Sequence, residues 1–469
     1  MRFDIIVRGG TVVNADGQRR VDVGIRGQRI VAVAKGLAGG AGPRTTVIDA
    51  RGKYVIPGAI DAHVHMELER STMPTSDNWD TGPRAAARGG VTTVIDFATP
   101  ERGESLREAL ARFRDRSRGR PCIDYACHIA VTDFKRHAAE MPQMVRQGCP
   151  TFKAYMTYGS RGLMSDDRAI FGELESCRRL GAMLLVHAES DGVLEELIER
   201  HHTRTMMRKF GARLHAMTRP NFIEAEAIAR AITWAEATGG RLYIVHTSTG
   251  EGADLVRAAQ ARGAKVFAET CPHYLVLDDS VFSRPDGHRY ICSPQVKKRE
   301  DSRRLWKGLQ HGELSVVATD HCVFNRKQKD SWAGDWTRTP SGLPGTETMV
   351  PLLFTHGVLK RRITMKRLVA LCCFNPAKLM GLYPAKGVVA LGSDADVAVI
   401  DPHHRVKVVP DRMETNTDWS PYENWTLGGF PEWTLCRGRP IVRQYEVQDA
   451  AGWGRWIRRR KPAGDLIDR

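Results

Sequence analysis

The chain has 469 residues, 42% of them hydrophobic, with ten cysteines and a formal charge of +16. That length exceeds one ordinary core and predicts a large domain with a smaller companion, while the absence of a long apolar run and of a signal-like apolar start at residues 1–7 predicts a cytoplasmic protein with no membrane partner. The cysteines form no C-x-x-C pair and the basic excess is scattered arginine with one cluster at 455–461, which argues against a disulfide framework, a cysteine-ligated zinc and nucleic-acid binding.

Short alternating segments open the chain at 4–8, 11–13, 21–26, 29–33 and 46–49. Turns at Gly9-Gly10, Asp16-Gly17 and Gly27 separate them, so they predict a small antiparallel sheet. From Tyr54 the pattern changes to buried-looking strands, each followed by helix-like sequence: 54–60, 91–97, 123–130, 151–156, 182–187, 241–246, 264–270 and 314–320. Eight such units over this span predict an α/β fold, a (β/α)8 TIM barrel. After it come short strands near 386–400, and from 449 the sequence is polar and basic and reads as a tail that crosses to a neighbouring subunit.

Residues at the carboxyl ends of barrel strands converge on one mouth. His63 and His65 stand at the end of the first predicted strand, one residue apart and so on the same side of an extended chain. Lys153 lies in the fourth, His187 ends the fifth, His246 the sixth and Asp320 the eighth. One such histidine is compatible with a hydrogen-bonded core residue; four at equivalent ends point to a metal. Lys153 admits two readings, an ordinary salt-bridged lysine or, since an ammonium repels a cation, a ligand made anionic by carbon dioxide. Cys271, His273 and His321, near the same mouth, read as packing or supporting groups.

Taken in order, several stretches resemble the cyclic amidohydrolases, in particular their dihydropyrimidinase and D-hydantoinase branch. They are Val55-Ile56-Pro57-Gly58-Ala59-Ile60-Asp61-Ala62-His63-Val64-His65, Thr151-Phe152-Lys153-Ala154-Tyr155-Met156-Thr157-Tyr158, Val186-His187-Ala188-Glu189, Ile244-Val245-His246-Thr247-Ser248 and Glu269-Thr270-Cys271-Pro272-His273-Tyr274-Leu275. Cys292-Ser293-Pro294, Ala318-Thr319-Asp320-His321-Cys322, Ser341-Gly342-Leu343-Pro344-Gly345 and Asn375-Pro376-Ala377-Lys378 continue the set. The resemblance covers most of the chain, from about Val55 to Asp396.

The resemblance implies hydrolysis of a cyclic amide in a dihydropyrimidine or hydantoin ring to an N-carbamoyl amino acid. It implies two Zn2+ per subunit, with Mn2+ or Co2+ as substitutes: His63, His65 and Asp320 on one, His187 and His246 on the other, and Lys153, as N6-carboxylysine, bridging both. Asp320 would move the proton, Tyr158 would hydrogen-bond the oxyanion, and Ser293 and Ser341 would contact the ring amide. Ser341 is a departure, since the branch usually has asparagine there. The resemblance further implies that residues 1–52 and 386–448 form one discontinuous β-sandwich around a barrel at 53–385, with 449–469 as the tail, in a homotetramer or homodimer.

Two rivals carry different expectations. Allantoinases share the histidines, the 271–275 motif and a stretch similar to Ser420-Pro421-Tyr422-Glu423, but Tyr158 favours the dihydropyrimidinase branch. Non-catalytic relatives like the collapsin-response mediators have lost metal ligands, and all six positions are intact here. Loops 66–76 and 156–165 should line the pocket for the ring substituent, and Glu67, Glu69 and Arg70 make the first more charged than an aryl pocket requires.

Overall fold

The computed structural model describes residues 2–68 and 73–463. Strands β1 (Ile5–Asn14), β2 (Gly17–Arg26), β3 (Arg29–Ala34), β4 (Thr46–Asp49) and β5 (Tyr54–Pro57) come first. The barrel strands follow: β6 (Ala59–Asp61), β7 (Val91–Ala98), β8 (Asp124–Ala130), β9 (Thr151–Tyr155), β10 (Met183–His187), β11 (Leu242–Ile244), β12 (Val266–Thr270) and β13 (Val316–Val317). Each pairs in parallel with the next in chain order. The ring closes between last and first strand through a parallel bridge from Val64 to His321, with the His65 amide donating to the His321 carbonyl at 2.7 Å.

The period of two along each strand sorts the side chains into two cores. Ile60, Ile95, Ala126, Leu185, Tyr243 and Phe267 fill the barrel, whereas Val94, Ile129, Phe152, Ala154, Val186 and Ala268 pack outward against helices. With Phe152 and Ala154 outside, Lys153 must point in. The helices obey local rules, as in Asp167–Leu180, where Asp166 accepts from the Ala169 amide and Gly181 ends the helix at φ +67°.

The remaining strands are β14 (Val397–Ile400), β15 (Arg405–Lys407), β16 (Thr426–Gly428), β17 (Pro431–Cys436), β18 (Arg439–Arg443) and β19 (Glu446–Val447). Of these, β14, β17, β18 and β19 rejoin the amino-terminal strands in one nine-stranded sheet, ordered β19-β18-β17-β14-β5-β1-β2-β3 with β4 also on β1, while β15 and β16 pair with each other in a separate two-stranded sheet. A core of its own, including Val7, Val23, Ile25, Val55, Val397 and Leu435, lies within this β domain.

Three expectations are corrected. The run 54–60 is not one barrel strand: its first part, β5, pairs with β1 and β14, and only Ala59–Asp61 enters the barrel. The break falls at Gly58, where a Cβ would lie 2.1 Å from Thr92 Oγ1. Second, Gly9-Gly10 is not a turn, because β1 runs through it with a register shift between Val7 and Gly10. Parallel pairing of β1 with β4 and β5 also makes the sheet mixed. Third, the described part of the tail, 449–463, does not hang free. It lies along the barrel floor, with Ile457 N donating to Tyr125 O at 2.8 Å and Arg459 N to Gly148 O at 3.0 Å, and Arg459 itself is buried.

Floor and sheet are joined by buried charge. Lys386 Nζ lies 2.8 Å from Asp124 at the start of β8, 3.4 Å from Asp394, and in a close ion pair with Asp396. Arg437 Nε adds a 3.0 Å contact to Asp124. The three carboxylates lie close enough to hold a metal, but Lys386 and Arg437, with Arg29 at 2.6 Å from Asp394, already supply their counter-charge. Lys386→Met leaves buried carboxylates short of a counter-charge, so it should cost about 3–5 kcal/mol of stability, read as a lower midpoint in denaturant unfolding.

Candidate metal centre

His63 and His65 follow β6 directly, and Asp320 lies three residues beyond β13 across the barrel seam. The seam is built partly from side chains. Asp61, the last residue of β6, accepts from Thr319 N at 3.0 Å and from Thr319 Oγ1 at 2.5 Å. Asp320 Oδ1 is thereby held 3.2 Å from His63 Nε2 and 3.1 Å from His65 Nε2, and the ligand atoms of these three residues all fall within 4.8 Å of one another.

The second half of the site faces this cluster. The His246 ring centroid is 5.4 Å from that of His63 and 4.5 Å from that of His187, and the Tyr158 ring is 5.1 Å from His187. Lys153 is buried between them, its Nζ 5.5 Å from the Phe97 ring and 5.1 Å from that of Tyr155. Among the described residues no carboxylate lies within ion-pair distance of it. Burial brings the amine down to about 7, so the salt-bridged reading of this lysine is not what the structure holds. Ser293 and Ser341 face each other with hydroxyls 3.5 Å apart.

Burial decides the charge states of the donors. It pushes the His63 and His246 imidazoles well below their ordinary range and lowers His187, which leaves them neutral, the form that ligates. Burial alone would raise Asp320, but its close contact with His63 and its hydrogen bond with His65 outweigh that and keep the carboxyl ionised. Burial, with Glu189 nearby, raises the Tyr158 phenol and keeps its proton. The set fits divalent metal: neutral imidazoles, an ionised carboxylate, and buried His65 Nδ1 and His246 Nδ1 atoms with no hydrogen-bond partner among the described residues. Tyr158, His246 and Asp320 also hold positive φ, at +68°, +37° and +50°, a strained backbone of the sort that persists where side-chain aim matters.

Supporting groups that sequence reasoning left without a role complete the picture. Glu269, facing inward from β12, lies 2.6 Å from His63 Nδ1 and accepts from Tyr243 Oη at 2.8 Å and from the His246 amide at 3.1 Å. Glu189 lies 2.8 Å from His187 Nε2, which leaves Nδ1 of that ring for a ligand. Its oxygen Oε1 is 3.6 Å from Arg219 Nε. Lys329, buried, donates to Ile291 O at 2.9 Å and Pro340 O at 2.7 Å and so ties the Ser293 and Ser341 segments together. The signal available for the two glutamates was an acid two residues from a histidine or on an inward strand position; a lysine remote in sequence offered none. His321 supports the seam, 3.0 Å from Asp77 Oδ2, with Nδ1 accepting from Gly345 N at 3.1 Å. Glu67 is turned to Arg116 and Arg120, at 3.5 and 2.6 Å, while Glu69 and Arg70 lie outside the described residues.

Residues 54–426 match the Amidohydrolase family. The chain is 37% identical over 460 residues to a D-hydantoinase of Streptomyces coelicolor, with 97% of each chain covered. It is 39% identical over 466 residues to a D-phenylhydantoinase of Escherichia coli O157:H7, covering 97% of this chain and 98% of that one. The crystal structure of dihydropyrimidinase from Brevibacillus agri NCHU1002 superposes with a TM-score of 0.94 at 36% identity, covering 98% and 99% of the two chains.

Glu269→Gln keeps the shape of the group behind His63 but removes its charge. Such supporting partners typically change metal affinity by 10–100-fold, so the variant should retain metal roughly that much less well, as measured by metal analysis after dialysis against a graded chelator series.

Proposed function

The chain belongs to the amidohydrolase family, in its D-hydantoinase and dihydropyrimidinase branch, and from that premise we propose how its residues divide the work of opening a hydantoin or dihydropyrimidine ring. The reaction breaks the ring amide C–N bond with water and leaves an N-carbamoyl amino acid. The observation that carries the assignment is the His63, His65 and Asp320 cluster facing His187 and His246 at the mouth of the barrel.

The residues that would hold two divalent metals, zinc first, are His63, His65 and Asp320 for one, His187 and His246 for the other, and Lys153 between them. Bound there, metal supplies Lewis acidity that makes water reactive at neutral pH and polarises the ring carbonyl. Lys153 serves as its N6-carboxy form. A lysine buried without an acidic partner is poorly held as a cation, and as a free amine it adds carbon dioxide, releases a proton and becomes an anion with two donor oxygens. Asp320 takes the proton from the attacking water and returns it to the departing ring nitrogen. Tyr158, protonated and poised beside His187, donates to the carbonyl oxygen as it gains negative charge.

Ser293 and Ser341, joined at their backbones by Lys329 and by the 3.0 Å bond from Gly342 N to Ile291 O, position the ring amide. Holding Ser341 through its main chain explains why serine can stand where relatives carry asparagine. The ring itself is best read from a panel of hydantoin, 5-substituted hydantoins, dihydrouracil, allantoin and dihydroorotate. Exposed Phe171, Val193 and Phe222 on the outer helices fit the homotetramer or homodimer of the family, a state that light scattering would report.

Chelation should abolish ring opening, and zinc, manganese or cobalt should restore it; full activity in a metal-free preparation overturns the assignment. Lys153→Ala should lose both metals together with activity, and normal metal content in that variant would refute the bridging role. Removing one oxyanion donor typically lowers turnover by about 100–1000-fold, so Tyr158→Phe should retain its metals while kcat falls by roughly that factor. Steady-state kinetics with parallel metal analysis reads both.

A further inference from the structure

The segment at 449–463 is fitted closely to the barrel floor. At Gly454 a Cβ would lie 1.9 Å from Ile123 O, and at Gly381 one would lie 1.8 Å from Arg460 O. From this segment the Arg459 guanidinium rises into the barrel, 4% exposed. It donates to Thr151 Oγ1 at 2.7 Å, to Met380 O at 3.3 Å and to Cys127 O. All three acceptors are neutral, and no carboxylate pairs with it among the described residues. A full charge buried against neutral groups is costly and is not accounted for by stability alone.

The bonds do not stop at Thr151. Its hydroxyl is 2.7 Å from His128 Nδ1, and His128 Nε2 is 2.9 Å from the carbonyl of Ala62, the residue before His63. The His128 ring also packs 4.9 Å from Phe97, which lies 4.7 Å from His63 and 5.0 Å from His65. A guanidinium can only donate and a carbonyl can only accept. Thr151 therefore accepts from Arg459 and has its one proton to give to His128 Nδ1, so His128 carries its own proton on Nε2 and donates it to Ala62. The doubly protonated imidazole is disfavoured, because burial and the Arg459 charge push His128 well below its ordinary range.

We propose that Arg459 is a positioning residue for the metal centre. It orients the Thr151 hydroxyl, fixes the tautomer of His128 and so holds the Ala62 carbonyl and the His63 and His65 turn in ligating geometry. Thr151 begins the strand that carries Lys153, so the same arginine also steadies the start of β9. This rests on the metal-centre reading above.

The test compares Thr151→Val, Thr151→Ser and Arg459→Met for zinc affinity by chelator competition, with the visible spectrum of the cobalt-loaded protein and hydrogen exchange over 449–463. Thr151→Val removes the relay yet leaves Arg459 its bonds to Cys127 and Met380. It should lose zinc affinity by roughly 10–100-fold, the range for supporting groups, and alter the cobalt spectrum, with the floor segment protected as before. Thr151→Ser, which keeps the hydroxyl, should restore both, and Arg459→Met should match Thr151→Val or exceed it. Wild-type zinc affinity and cobalt spectrum in Thr151→Val overturn the inference, even if Arg459→Met fails to fold. A wild-type protein that binds no divalent metal would instead overturn the reading on which it rests.

Discussion

The closure of the barrel between its last and first strands is the contact on which the rest depends. β13 is only two residues long and the backbone ladder at the seam is thin, so much of the join passes through Asp61. Its carboxylate takes both the amide and the hydroxyl of Thr319, 258 positions away. Burial raises this carboxyl, to about 6, even though its bonds with Thr319 pull the other way and offset part of the cost. Had the strands met through an ordinary ladder, Asp320 would not have to leave it at positive φ. Here the chain turns at that residue and brings its carboxylate between two histidines.

Around that seam the protein assembles a low-dielectric cup whose donors are held from behind. Glu269 backs His63 and fixes the His246 amide, Glu189 backs His187, and His128 supports the carbonyl that precedes His63. Each imidazole thus has one nitrogen or one adjoining backbone group committed to the scaffold and another atom free for chemistry. Burial that would be a liability for a charged histidine is an asset for a neutral ligand. The same economy governs the serine segments, where buried Lys329 spans two carbonyls and does for the Ser293 and Ser341 loops what the glutamates do for the histidines.

Much of this was legible in the sequence, and the boundary of legibility is physical. Strand-end histidines could be read because period-two alternation is local: Phe152 and Ala154 outside force Lys153 inside with no tertiary information. The division of 54–60 between two sheets could not, since an apolar run looks alike whichever neighbour it meets. Only the space at Gly58, too small for any side chain, separates the two roles. The basic cluster at 455–461 misled for a related reason. Charge density is visible in a sequence, but the buried carbonyls and hydroxyl that receive one of those arginines come from residues about 80 to more than 300 positions away. Glu269 and Lys329 depended likewise on partners that only folding brings near.

That single residue between β5 and β6 has a mechanical consequence. The strand that belongs to the nine-stranded sheet passes into the barrel with Gly58 as the whole connection, and its amide is tied to Asp396 O at 2.9 Å. A joint so short and so packed has no room for the φ/ψ changes of a hinge, and the Lys386 ion cluster rivets the same junction from the floor. Sheet and barrel must therefore tumble and breathe as one rigid body. Any movement that admits a ring or releases an opened one is left to the loops above the mouth, and exchange rates for substrate will be set by those loops and not by domain closure.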